Sequence, residues 1–155
     1  VVPAEAPAKV YRAAVVEENV LGKRPLSTRK ETASRLTALH GLDHSKPLFR
    51  VLRRLWDVDA AAHPQLALLN GLALDPLLMA TTRQVMGMAP GQVLQQSEMV
   101  AAVQCFTQDR LSPKVLDAVA RNNASSWTQS GHLKGKVKKL RQPLKPQPVA
   151  LALAL

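Results

Sequence analysis

Aromatic residues are nearly missing from this chain, which has two Trp, two Phe and one Tyr in 155 residues. Its hydrophobic share of 46% must therefore come mainly from Leu, Val, Ala and Met, and cores of that kind favour helices over sheets. The shortage of rings also argues against single-stranded nucleic acid as a ligand, because sequence-tolerant binding of single strands relies on base–aromatic stacking. Cysteine is represented only by Cys105. No disulfide framework or thiolate metal site can be assembled from the chain alone, and a reducing compartment fits. Cys105 falls in an apolar stretch and reads as a small core residue. No apolar run reaches the roughly 20 residues that span a bilayer, and the start Val1-Val2-Pro3 has no basic n-region. The chain reads as cytoplasmic, without a membrane partner. The Val1 start and the Leu-Ala-Leu-Ala-Leu finish read as cut ends of a longer protein.

Catalytic patterns are lacking too. His40, His44, His63 and His132 do not stand at metal-ligand spacing to one another or to Cys105, and neither His-x-Glu nor Cys-x-x-Cys occurs. These histidines read as surface or capping residues. Gly87 and Gly91 have no Gly-Lys-Ser/Thr sequel, and Ser125-Ser126 lacks the neighbours of a nucleophile elbow. The expectation is a non-enzyme with no catalytic residue, no metal, no cofactor and no small-molecule substrate.

Positive charge is what the chain has in excess. Its net charge is +10 and its pI about 10.4, which draws a polyanion to it. The excess is concentrated late: seven of the 21 Lys/Arg and none of the 11 Asp/Glu lie from Ala118 onward.

Proline and polar residues divide the chain into helices of ordinary length. The expected helices begin with Ala8 to Val20, broken by Gly22 to Pro25, and continue with one opened by a Thr28/Glu31 capping box and closed by Gly41. A third is capped by Ser45 and buries Leu48, Val51, Leu52, Leu55 and Trp56. Pro64 and Pro76 suit first helical turns, and Asp75 suits a cap. The uncharged stretch Met86 to Gly91 reads as a boundary. Beyond it, Ser97 caps a helix, Thr107 to Leu111 forms a turn, and Ser112-Pro113 opens a long helix that Gly131 ends. Val115, Leu116, Val119, Ala124 and Trp127 give that helix its apolar stripe, and Leu133 to Arg141 alternates apolar and basic residues around Gly135.

The fold class expected is mostly α: a helical bundle over residues 1–89, a winged helix-turn-helix-like part with a short β-hairpin over 90–142, and a Pro-rich linker with an apolar segment over 143–155. The candidate nucleic-acid-binding residues follow from this reading. On the long helix they are Lys114, together with Arg121, Asn122, Ser125 and Gln129, the last four placed to face bases in a major groove. On the hairpin they are Lys134, Lys136, Lys138, Lys139 and Arg141, placed to neutralise phosphates. A second basic cluster, Lys23, Arg24, Arg29 and Lys30, stands at a helix start, where backbone amides favour phosphate; a solvated charged turn is the other reading. Arg50, Arg53 and Arg54 read as a wet helix face or as partners for Asp57 and Asp59.

Three stretches carry a family resemblance: Asn19 to Lys30, the Leu48 to Asp57 helix, and Ala120 to Lys136, which reads ARNNASSWTQSGHLKGK. Together they resemble the BrxA-like family, the small accessory proteins of bacteriophage-exclusion (BREX) defence systems, over most of residues 8 to 142. The resemblance implies a helical protein, comparable with the antitermination factor NusB, that binds DNA without catalysing a reaction. It implies double-stranded DNA and other phage-defence proteins as partners, in a bacterial cytoplasm. Family members continue past the equivalent of Leu155. The reading from a different class is a structural adaptor whose basic surface meets an acidic protein partner or RNA.

Overall fold

A computed structural model describes residues 2–155. The protein is mostly helical, with a small antiparallel two-stranded sheet near its C-terminal end. In chain order the elements are α1 (Ala8–Val16), α2 (Leu26–His40), α3 (Pro47–Trp56), a 3-10 turn (Ala60–Ala62), α4 (His63–Leu74), α5 (Pro76–Met79), α6 (Thr82–Met86), α7 (Gln96–Thr107), α8 (Pro113–Gln129), β1 (Leu133–Lys134), β2 (Leu140–Arg141) and α9 (Pro148–Ala154). The chain folds as two compact units. One comprises 1–74 together with 148–155, and the other 75–147. The sequence reading had set its limits at 89/90 and 142/143.

In the first unit, α3, α4 and α9 close around Phe49, Leu52, Ala62, Leu66 and Ala150. A smaller cluster of Val15, Val16 and Ala33 joins α1 to α2. Several helix starts differ from expectation for local reasons. α1 stops at Val16 rather than Val20, where Asn19 takes a left-handed conformation (φ 51°) and Arg29 Nη1 donates to the Val16 carbonyl at 2.8 Å. α2 begins at Leu26, directly after Pro25, so no Thr28/Glu31 box forms, and Glu31 instead pairs with Arg35 four residues on. Ser45 does not cap α3. Its own N–H is taken by Asp43 Oδ1 at 3.0 Å, and Pro47 opens the helix. Val51, expected inside, is exposed, while Phe49 takes the buried face with Leu52. Gly41 does end α2, in the left-handed region (φ 60°) where glycine bears no Cβ penalty.

In the second unit Asp75 caps α5, its Oδ1 accepting from Leu77 N at 2.9 Å and Leu78 N at 3.2 Å. α7 and α8 pack on one another, with α5 against α8 and α6 against α7. Met99 and Val103 of α7 and Leu116, Ala120, Ala124 and Trp127 of α8 are buried at three- and four-residue spacing, as an amphipathic pair requires. α7 starts at Gln96 without a Ser97 cap. It ends in two consecutive left-handed residues, Gln108 (φ 51°) and Asp109 (φ 59°), held by Gln104 Nε2 donating to Asp109 Oδ1 at 2.6 Å. Cys105 is exposed rather than in the core, and so are Phe106 and Val115. The buried stripe of α7 is narrow, and Cys105 and Phe106 fall outside it.

β1 and β2 pair antiparallel, Leu133 with Arg141 and Lys134 with Leu140. Residues 91–94 run along the free edge of β2: Gly91 N donates to Arg141 O (2.8 Å), Arg141 N to Gln92 O (2.9 Å) and Leu94 N to Lys139 O (2.8 Å). Val93 and Leu140 form an antiparallel bridge. The hairpin thus gains an edge partner from the segment between α6 and α7 of its own unit, which short strands need for stability.

Candidate nucleic-acid interface

The buried stripe of α8 fixes what the helix shows outward. With Leu116, Ala120, Asn123, Ala124 and Trp127 inside, Lys114, Arg121, Asn122 and Gln129 are exposed and Ser125 is half-buried. Two deep contacts set the helix's rotation. Asn123 Nδ2 donates to the Leu77 carbonyl at 2.8 Å, and Trp127 Nε1 donates to Thr81 Oγ1 at 3.0 Å. On the outer stripe Arg121 is ion-paired with Asp117 one turn earlier, and Gln129 Nε2 donates to Ser125 Oγ at 3.4 Å. Among the described residues, the Lys114 and Asn122 side chains have no hydrogen-bond or ion-pair partner.

The hairpin is held at the C-terminal end of α8. His132 stands edge-on to Trp127 with ring centres 5.1 Å apart, and its Nδ1 lies 2.9 Å from Ser130 Oγ. Burial, with the Arg141 guanidinium adding to it, lowers the His132 pKa to about 4. The imidazole is therefore neutral at physiological pH and serves as packing, not as the surface or capping group expected. His63 does act as the capping group expected: its Nε2 lies 2.7 Å from the Trp56 carbonyl at the C-terminal end of α3, and its ring stacks on the Trp56 indole at 4.0 Å.

The hairpin's basic residues divide into two sets. Lys134, Lys136 and Lys138 are exposed and, among the described residues, without a side-chain partner. Lys139 is half-buried, its Nζ donating to Thr128 Oγ1 at 3.0 Å. Arg141 turns inward, Nη1 donating to the carbonyls of Gln142 at 2.5 Å and His132 at 3.2 Å. Lys139 fastens the hairpin to α8 and Arg141 braces the hairpin's base, while the other three extend from it. The turn depends on Gly135 (φ 119°), where a Cβ would come within 2.0 Å of the Lys138 carbonyl oxygen. At its tip Val137 is 92% exposed.

The acids of this unit are Asp75, Glu98, Asp109 and Asp117, none of them on the hairpin. The outer stripe of α8 and the hairpin tip accordingly present unpaired ammonium groups beside polar side chains that both donate and accept. Phosphate and base edges match that combination.

Lys23, Arg24, Arg29 and Lys30 belong to the first unit. Lys23, Arg24 and Lys30 are exposed around the start of α2, whereas Arg29 is committed to the Val16 carbonyl. The arginines of α3 also separate: Arg50 Nη1 donates to the His44 and Ser45 carbonyls (3.1 and 2.9 Å), Arg53 pairs with Asp57 at 3.5 Å, and Arg54 is exposed. Residues 91–94 escaped the sequence reading. The available signal was the short Gln92-Val93-Leu94 run after a Pro90-Gly91 turn.

No group of three His, Cys, Asp or Glu is placed to hold a metal among the described residues, and no helix there is long and apolar enough to cross a membrane. Comparison with known protein families, curated proteins and solved structures yields no match.

Proposed function

We propose that the chain is a non-catalytic, duplex-DNA-binding accessory protein, and that residues 75–147 form a winged helix-turn-helix. α8 is the recognition helix in this reading, and the β1–β2 hairpin is the wing. The observation that carries it is the pairing of a partner-free lysine set, Lys134, Lys136 and Lys138, with an outer α8 stripe of Lys114, Arg121, Asn122, Ser125 and Gln129 in one unit. Residues 91–94, hydrogen-bonded along the edge of β2, support this reading, because a wing of this type is braced by a further extended segment. A recognition helix places its outer side chains at base edges while wing cations contact the backbone. Arg121 would exchange its Asp117 partner for a base or phosphate on docking.

The resemblance to BrxA-like proteins makes a bacterial phage-defence complex the setting of this activity, with other defence proteins as partners. Gel shifts with duplex DNA, single-stranded DNA and RNA across a salt gradient test it. Duplex is bound best, with a log-log salt slope of roughly −3 to −6 for about four to seven phosphates. A flat salt response or absent duplex binding favours the adaptor, whose ligand is an acidic protein.

A further inference from the structure

Three of the five aromatic residues, Tyr11, Phe49 and Trp56, line one cavity of about 310 Å³ inside the first unit. Their rings are fixed. Tyr11 and Phe49 meet edge-to-face at 5.3 Å, and Trp56 is stacked on His63. Small-molecule sites start at about 300 Å³ and combine such walls with a few converging polar groups. Here the polar groups are His40 and Arg53, and apart from Tyr11, Phe49 and Trp56 the rest of the lining is aliphatic, Leu52 included.

Arg53 can only donate, and the neutral His40 ring offers one donor and one acceptor nitrogen. Asn70, fully buried, has its Nδ2 3.4 Å from His40 Nδ1. An amide nitrogen donates, so Nδ1 accepts and the imidazole proton sits on Nε2. Burial lowers the His40 pKa, which keeps the ring neutral. Arg53 Nε is buried without a hydrogen-bond partner, while Nη1 reaches only the largely exposed Asp57. The Tyr11 hydroxyl already donates to the Pro3 carbonyl at 3.0 Å. The Arg53 guanidinium, with one buried N–H unpartnered and a long contact to an exposed carboxylate as its only ion pair, is under-satisfied beside an aromatic wall, since buried polar groups are almost always paired.

We propose that this cavity binds a small planar aromatic carboxylate, its ring against Tyr11, Phe49 and Trp56 and its carboxylate on Arg53 and His40. Arginine suits that end because its planar fork matches a carboxylate. The site belongs to the first unit and is independent of DNA binding by the second.

Calorimetric titration of the full chain with 1-naphthoate and with neutral 1-naphthalenemethanol tests the proposal. Naphthoate binds one to one and at least tenfold more tightly than the alcohol. Arg53→Met removes that preference but leaves the alcohol's affinity unchanged, and Ala67→Leu, which fills the lining, blocks both compounds. Amide and indole shifts in nitrogen-edited NMR spectra of the unsubstituted protein map to Trp56, Ala67 and their neighbours, a readout that holds even if a variant fails to fold. Equal affinity for acid and alcohol, no binding of either at millimolar concentration, or shifts mapping elsewhere would each overturn it.

Discussion

Trp127 and Thr81, 46 residues apart in sequence, meet in the core of the second unit: the indole N–H donates to Thr81 Oγ1 at 3.0 Å, and the same hydroxyl donates to the Leu78 carbonyl at 2.7 Å. Both residues are buried. This relay satisfies the polar tip of the largest buried side chain and locks α8 to the α5–α6 region. Thr81→Val keeps the shape and removes the acceptor, so it lowers stability by about 1 to 3 kcal/mol through the orphaned indole N–H. Trp127→Ala costs about 3 to 5 kcal/mol. Urea unfolding of both variants checks the pair, and a Thr81→Val cost below about 0.5 kcal/mol refutes the relay.

Substitution of Gly135 tests the hairpin turn. Its φ of 119° and the closeness of the Lys138 carbonyl leave no room for a methyl group. Gly135→Ala therefore dissolves the Leu133–Arg141 pairing at a local cost of about 1 to 3 kcal/mol. Cross-strand NMR contacts vanish and duplex affinity drops, while the α7–α8 core keeps its chemical shifts.

The lysines separate contact from support. Changing Lys134, Lys136 and Lys138 together to Ala leaves unfolding unaltered, weakens every duplex alike and shrinks the salt slope by up to about three units. Lys139→Ala acts first on hairpin order, since its ammonium is engaged by Thr128. Arg121→Ala costs about 1 to 3 kcal/mol of binding and changes sequence preference. A triple variant that binds like the parent, combined with lost binding on replacing Lys23, Arg24 and Lys30, would move the interface to the first unit.

His132 links the second unit's stability to pH. Its pKa falls from the ordinary 6.5 to about 4 on folding. Between those values the unfolded chain holds the proton more tightly. The contribution is complete above pH 6.5 and is lost as pH falls toward 4. In His132→Gln the slope of unfolding free energy against pH in this window is flatter than in the parent. Equal slopes would place the imidazole in solvent.

Much of the second unit is legible in the sequence because its punctuation is local. Pro113 opens α8, Gly131 follows its end and Gly135 shapes the hairpin turn, and each acts through its own backbone. Residues that act at a distance are not legible. Nothing local in Gln92 announces a bond to Arg141, and nothing in Thr81 announces an indole. The errors on Cys105 and Val115 share a cause. Helical periodicity gives a direction of burial, but the width of the buried stripe is set by the neighbours that cover it. In the candidate interface the charges could be counted in advance. Which of them were already spent, such as Arg141 on carbonyls and Arg29 on the end of α1, depended on folding.

The return of α9 to α3 and α4 affects how the protein emerges during synthesis. Residues 75–147 are contiguous and carry their own core, so they can fold as soon as they leave the ribosome. The first unit must wait. Ala150 is one of the five residues at the centre of its main cluster and is made only after the whole second unit. Until then Phe49, Leu52, Ala62 and Leu66 lack one wall, leaving this unit to mature after the one that follows it and its apolar face open to other nascent chains.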